Sequence, residues 1–249
     1  MLGPIERYLL DKIKADGSIH MTLIDPEKVT ASGAAHVAEH SKTSGTAAIM
    51  IGGSTVASQQ HLDDVVKSIK DSVDVPTILF PGNVTGISRY ADAIWFMSML
   101  NSTDPYFLMG AQILGAPYIK KFNIEPISMG YIIVGDGGAA GRVGKAIPIP
   151  YSNLQLAADH ALAGQYLGMR FIYLEGGSGA ASPVPPEMIR KVKNSIAVPL
   201  IVGGGIRSKE QALAAASAGA DIIVTGNLTE SAEGKERIIQ IITAIRHKP

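Results

Sequence analysis

The sequence predicts an α/β chain folded as one eight-stranded parallel TIM barrel, (β/α)8, a single domain spanning residues 1–249. Three observations predict it. Eight short apolar, β-rich runs recur with helix-length segments between them. The last three runs each end in a glycine turn: Tyr173–Gly179 (YLEGGSG), Val202–Ser208 (VGGGIRS) and Val224–Asn227 (VTGN). The length, 249 residues with 46% hydrophobic side chains, matches one large barrel core.

The runs are His20–Ile24, Ala47–Ile51, Thr77–Phe80, Ala93–Leu100, Met129–Val134, Arg170–Leu174, Pro199–Val202 and Asp221–Val224. Pro4–Ala15 reads as an extra helix closing the N-terminal face, with Ile5, Leu9 and Ile13 inward. PGNVTG (Pro81–Gly86) replaces a regular helix after the third run, and Gly135–Pro150 is a long glycine-rich loop. Both belong over the barrel mouth. Ser152 is a candidate cap for the helix 153–167, closed by Gly168, and three prolines at 183, 185 and 186 delay the helix after the sixth run. Ser208-Lys-Glu-Gln211 is a capping box for a helix through Ala218, ended by Gly219. Ile238, Ile239, Ile241, Ile242 and Ile245 mark the inner face of a C-terminal helix. An open doubly wound sheet is the competing fold, but such a sheet binds at one switch point rather than after three consecutive strands.

Acidic and basic residues balance at 22 each, which argues against a nucleic-acid partner. Zero cysteines exclude disulfides, thiolate metal sites and cysteine nucleophiles. The N-terminal segment is charged and lacks the apolar core of a signal peptide, and no run is long enough to cross a membrane. A cytoplasmic protein is expected, with peripheral contact to a membrane surface left open.

Glycine lets backbone N–H groups approach an anion, and a following helix adds the positive end of its dipole. Three such turns side by side predict a phosphate cup at the C-terminal ends of strands 6–8. Glu175 ends the sixth run inside that cup, with Tyr173 two positions earlier on the same strand face. A carboxylate beside phosphate needs a donor between them, so Glu175 is read as binding or deprotonating a substrate hydroxyl; a structural bond to the rim is the alternative. Asp25, before Pro26, ends the first run and reads either as a site carboxylate or as a helix cap. Ser54, after Gly52-Gly53, reads either as a site hydroxyl or as the cap of the helix toward Lys70. Together Asp25 and Ser54 form a sparse Mg2+ site of the kind completed by substrate phosphates. Arg207 is read as solvent-facing, with phosphate neutralisation as its alternative. Lys28, Lys120, Lys121, Arg142 and Lys145 are candidates for a second anion site. The histidines form no ligand pattern, and Trp95 reads as core.

MTLIDPEK, IGGS, YLEGGSG, VGGGIRS and TGN, in this order from Met21 to Asn227, resemble geranylgeranylglyceryl phosphate synthase and its bacterial heptaprenylglyceryl phosphate relatives. The resemblance implies a Mg2+-dependent prenyltransferase that joins the 3-hydroxyl of sn-glycerol 1-phosphate to geranylgeranyl diphosphate, the first ether bond of archaeal-type phospholipids. It implies Mg2+ on Asp25 and Ser54. It places glycerol phosphate on Tyr173, Leu174, Glu175, Gly176, Gly177, Ser178, Gly179, Gly204, Gly205, Gly226 and Asn227, with Glu175 and Tyr173 catalytic. It also implies a homo-oligomer, a dimer or larger. Val84–Ile94, Tyr106–Leu114 and Ile132–Val134 offer apolar walls for the prenyl chain. The rival functions are a sugar-phosphate isomerase, which needs a second catalytic carboxylate that no strand end after run five or six supplies, and a non-catalytic phosphate-binding subunit.

Overall fold

The structure, a computed structural model, describes residues 2–53, 58–226 and 232–246. Its centre is a closed barrel of eight parallel strands in sequential order: β1 (Ile19–Ile24), β2 (Ala48–Ile51), β3 (Thr77–Leu79), β4 (Ala93–Met99), β5 (Glu125–Ile133), β6 (Phe171–Glu175), β7 (Leu200–Gly203) and β8 (Ile222–Thr225). Each falls on one of the eight apolar runs, shifted by a few residues at most. β8 closes on β1 with Thr22 opposite Thr225.

Side-chain alternation divides the core in two. Met21, Met50, Ile78, Trp95, Met129, Phe171, Ile201 and Ile222 point inward and fill the barrel. Ile172, Leu174, Leu200, Val202 and Ile223 point outward, under the helices on one side. Ile24, Ile49, Ile51, Leu79 and Ile94 do the same on the other. Strands apolar on both faces are the signature of a parallel sheet covered by helices.

Helix α1 (Pro4–Asp16) plugs the N-terminal end of the barrel, with Leu9 fully buried against the interior and Ile5 and Ile13 packed beside it. Glu125, the first residue of β5, accepts the N–H groups of Ile5 and Glu6, each at 2.8 Å. That carboxylate therefore sits on the positive end of α1. Glu6 in turn meets Arg170 at 2.6 Å.

The outer layer is α2 (Ala31–Ser44), α3 (Gln59–Ser72), α4 (Ala111–Phe122), α6 (Leu154–Tyr166), α7 (Pro186–Lys193), α8 (Lys209–Ser217) and α9 (Ala232–Ile245); short α5 (Gly138–Val143) lies within the loop after β5. After β3 the chain makes only a helical turn, Val84–Gly86, and enters β4 directly. A turn of π-helix, Tyr106–Gly110, precedes α4.

Three local expectations are corrected. The cap of α6 is Asn153, whose side chain accepts the N–H of Leu156 at 3.2 Å, and not Ser152, which lies one position too early. The cap of α3 is Ser58, which accepts from His61, so the capping reading of Ser54 falls to another serine. On α9, Ile238, Ile241, Ile242 and Ile245 are buried, but Ile239 is half exposed because it lies one residue, about 100°, round from Ile238. The Ser208–Gln211 capping box forms as expected.

Candidate active site

A cavity of about 470 Å3 opens at the C-terminal ends of the strands. One wall is polar. It carries Tyr173, Glu175, Ser178, Gly179, Gly204, Gly205 and Gly226, from the turns after β6, β7 and β8. The opposite side is apolar and runs under α4, past Val84, Ile87, Ile94, Phe96, Phe107 and Ile119. The missing helix after β3 is what leaves room for this arm.

The polar wall is built from backbone. Gly177 and Gly204 have φ of 103° and 87°, a region that side-chain-bearing residues rarely enter. They also press together: a Cβ on Gly204 would lie 2.6 Å from the Gly177 nitrogen and 2.8 Å from Glu175 Oε1. No residue but glycine fits there.

Glu175 sits at the centre. Its Oε1 accepts the Gly177 N–H at 2.6 Å and its Oε2 accepts the Tyr131 hydroxyl at 3.2 Å. Burial raises its pKa above that of an ordinary glutamate, while the bonds from Gly177, Tyr131 and Tyr173 oppose that shift. Both Tyr131 and Tyr173 are raised well above 10 by burial and by the Glu175 charge, so each stays protonated and donates. Tyr173 lies under the cup, stacked on Phe80 at 5.5 Å and edge-on to Tyr131 at 5.2 Å. Its hydroxyl fills the space where Gly203 has no Cβ.

Asp25 faces the same cavity from the end of β1. Its Oδ1 accepts the N–H of Glu27 at 3.1 Å, capping the turn Pro26–Lys28, and Lys28 Nζ lies 3.5 Å from Oδ2. His61 clamps that turn from α3, with Nε2 at 2.8 Å from the Pro26 carbonyl. Gly53 adjoins the carboxylate so closely that a Cβ would lie 2.6 Å from Oδ1. The residue that caps this turn is thus also the carboxylate that faces the cavity.

Not every candidate meets the cavity. Leu174 points into the helix layer and can offer the site only its backbone. The Gly176 N–H is spent on the Gly203 carbonyl at 3.0 Å. Ser54 and Asn227 lie outside the described residues. Lys28 and Arg207 line the cavity, and Arg207 reaches the Ala180 carbonyl at 2.7 Å, bridging two rims of the cup. Lys120, Lys121, Arg142 and Lys145 are off the described cavity wall, and Lys145 pairs with Asp104 at 2.8 Å. Tyr131, Phe80 and Arg237 also line the cavity and are new. The signal that marks Tyr131 is its register, directly opposite Tyr173 across β5 and β6, which the sequence does not carry.

Among the described residues no three His, Asp or Glu side chains converge as a metal site. Asp25 is one hard oxygen donor at the cavity edge. That fits a cation that takes most of its ligands from phosphate and water, and does not fit a tight protein-only site.

Known proteins show the same chain organisation. The sequence is 51% identical to the geranylgeranylglyceryl phosphate synthase of Thermofilum pendens, over 99% of this chain and 96% of that protein. It is 55% identical to that of Thermococcus gammatolerans, over 95% and 93%. The crystal structure of (S)-3-O-geranylgeranylglyceryl phosphate synthase from Thermoplasma acidophilum in complex with sn-glycerol-1-phosphate superposes with a TM-score of 0.94, at 40% identity and 99% coverage of both chains. A thiamine phosphate pyrophosphorylase from Pyrococcus furiosus shares only the fold, with a TM-score of 0.59 at 13% identity. The PcrB family model matches residues 11–246, and the chain belongs to the PcrB family.

Proposed function

We propose that this chain is a prenyltransferase that joins the 3-hydroxyl of sn-glycerol 1-phosphate to geranylgeranyl diphosphate, releasing diphosphate. The observation that carries the reading is one cavity with a backbone-lined cup around a buried carboxylate at one end and an apolar arm at the other. A small phosphate ester and a long hydrocarbon chain need those two ends. The relatives' names support the same reaction. An isomerase would need a second acid–base carboxylate across the mouth. Asp25 faces the mouth, but it is engaged by the Glu27 N–H and by Lys28 rather than set opposite a second carboxylate.

The phosphate rests on the turns of Gly204, Gly205 and Gly226, near Ser178 and Gly179, and this aims the 3-hydroxyl before reaction. Glu175 accepts that hydroxyl's hydrogen bond, and its raised basicity equips it to take the proton as the ether bond forms. Tyr131 and Tyr173, locked as donors, hold the Glu175 carboxylate in place. Phe80 and the apolar arm keep water from the allylic carbon, whose bond to the diphosphate breaks as the new C–O bond forms. Asp25 and Ser54 would hold Mg2+ together with the diphosphate, where the ion would supply charge neutralisation of the leaving group. Lys28 adds a positive charge on the same side.

Incubation with radiolabelled sn-glycerol 1-phosphate, Mg2+ and prenyl diphosphates of several lengths tests the reading. Transfer should be best with the C20 donor; equal use of the glycerol 3-phosphate enantiomer, or no transfer with any donor, sinks it. Asp25→Asn should abolish turnover and leave glycerol phosphate affinity nearly unchanged, and Mg2+ should bind weakly until prenyl diphosphate is added.

A second copy of this chain is the partner assigned to the outer face of α4. Residues 106–119 carry no charge, and Met109, Ile113, Leu114 and Tyr118 are 60%, 66%, 54% and 55% exposed. A contiguous apolar helix face of this kind marks an interaction site. A homodimer buries it by presenting the same patch from both sides.

A further inference from the structure

The glycines of the three cup turns are not equally crowded. A Cβ on Gly204 or Gly205 would collide with neighbouring backbone at 2.6 Å, so those two turns are wedged in place. At Gly226 the nearest such atom is the Leu23 carbonyl at 3.8 Å. Gly226 itself is not wedged in the way Gly204 and Gly205 are. What precedes it is Thr225, the last residue of β8, buried, and by strand alternation on the face opposite the inward Val224.

There the Thr225 hydroxyl meets His20 Nε2 at 2.8 Å, across 205 residues of sequence. The other ring nitrogen, Nδ1, meets the Thr46 hydroxyl at 2.9 Å. Thr46 Oγ1 also lies 3.1 Å from the His20 carbonyl, to which it donates. Its lone pair is then free to accept from Nδ1–H, which leaves Nε2 as the acceptor and Thr225 as the donor. The ring is buried and held neutral, with its pKa lowered to about 3 by burial. It adds no charge to the cup; it adds an orientation.

We propose that His20 is a positioning residue for the phosphate cup: tied to Thr46 on one side, it holds the Thr225 hydroxyl on the other and so fixes the strand end from which the Gly226 turn departs. The idea rests on the cup being the phosphate site, and the experiment separates the two claims. Three variants discriminate. Thr225→Val keeps the shape and removes the donor. His20→Asn keeps a donor near Thr46 but does not reach Thr225. His20→Gln puts its amide oxygen near the position of Nε2.

The readouts are the Kd of inorganic phosphate and of sn-glycerol 1-phosphate by calorimetry, kcat at saturating substrate, and melting temperature. Thr225→Val and His20→Asn should weaken both ligands about tenfold, the worth of one lost buried hydrogen bond, while kcat stays within about twofold. His20→Gln should recover most of that affinity. Wild-type affinity in Thr225→Val, with only a lower melting temperature, would make the contact merely structural and overturn the proposal, as would identical behaviour of the Asn and Gln variants. Phosphate binding that weakens in the variants as expected, beside a wild type unable to turn over glycerol phosphate, would uphold the positioning role and remove the assigned reaction instead.

Discussion

Glu175 joins two demands that pull apart. A buried carboxylate with no cation partner among the described residues is a poor stabiliser, and its raised pKa means the folded chain holds that proton more tightly than the unfolded chain does. Stability is therefore greatest below pH 4.5 as far as this group is concerned, and declines as pH rises through the raised value. Glu175→Gln should melt no lower than wild type at pH 8, while kcat falls about 10²–10⁴-fold if proton acceptance matters; kcat, KM and melting temperature on that variant decide. A lower melting temperature with normal turnover would return Glu175 to a structural role. The glycines give a second contrast. Gly204→Ala forces a positive φ and a collision with Glu175 and Gly177, so it should destabilise the fold by about 1–3 kcal/mol and also cut glycerol phosphate binding. Gly226→Ala makes only an ordinary contact with the Leu23 carbonyl at 3.8 Å and should spare stability; differential scanning calorimetry of the pair tests this. The glycine turns and Glu175 were legible because they follow β-rich runs directly. Tyr131 was not, because an aromatic inside a strand reads as core until its register with Tyr173 is known.

At the scale of elements, what was legible is what local sequence controls. All eight strands could be read because a strand buried on both faces is a continuous apolar run. The capping box at Ser208 and the plug helix α1 could be read for the same local reason. The capping readings of Ser54 and Ser152 misled because caps are chosen by where the backbone turns, and Ser58 and Asn153 stand nearby with equal capping chemistry. The tie between β1 and β8 through His20 spans most of the chain and leaves no local trace. It has a consequence for acid stability. The unfolded chain protonates His20 near pH 6.5 and the folded chain only near pH 3. This contribution is thus fully present above pH 6.5 and is lost as pH falls. Denaturant unfolding measured from pH 7 to 4 should show a loss approaching about 1.4 kcal/mol per pH unit from this one group, and His20→Gln should flatten the slope. An equal slope in both proteins would show that carboxylates alone set it.

For the whole molecule, the unanswered surface is α4. Ile113→Lys with Leu114→Glu should convert an oligomer to a monomer by light scattering, with little change in melting temperature of the barrel itself. Unchanged mass together with lost sedimentation on liposomes would assign the face to a membrane surface instead. Closure of the barrel carries a different lesson. Asp25 follows β1 and the last glycine turn follows β8, and the two ends of the reaction meet only because Thr22 pairs with Thr225. During synthesis, a chain released up to the end of β7 already holds Glu175, Gly204 and most of the apolar arm. It still has neither a complete cup nor a closed cavity with Asp25 at its edge, and both β1 and β7 stand as unpaired edges. Joining ends so far apart costs little more than joining closer ones, since loop entropy grows only with the logarithm of length, about 0.6 kcal/mol per doubling. Such distant contacts are nonetheless slow to form. Catalytic activity in a refolding experiment therefore times the last seam of the barrel, and helix content, which needs no seam, should return before it.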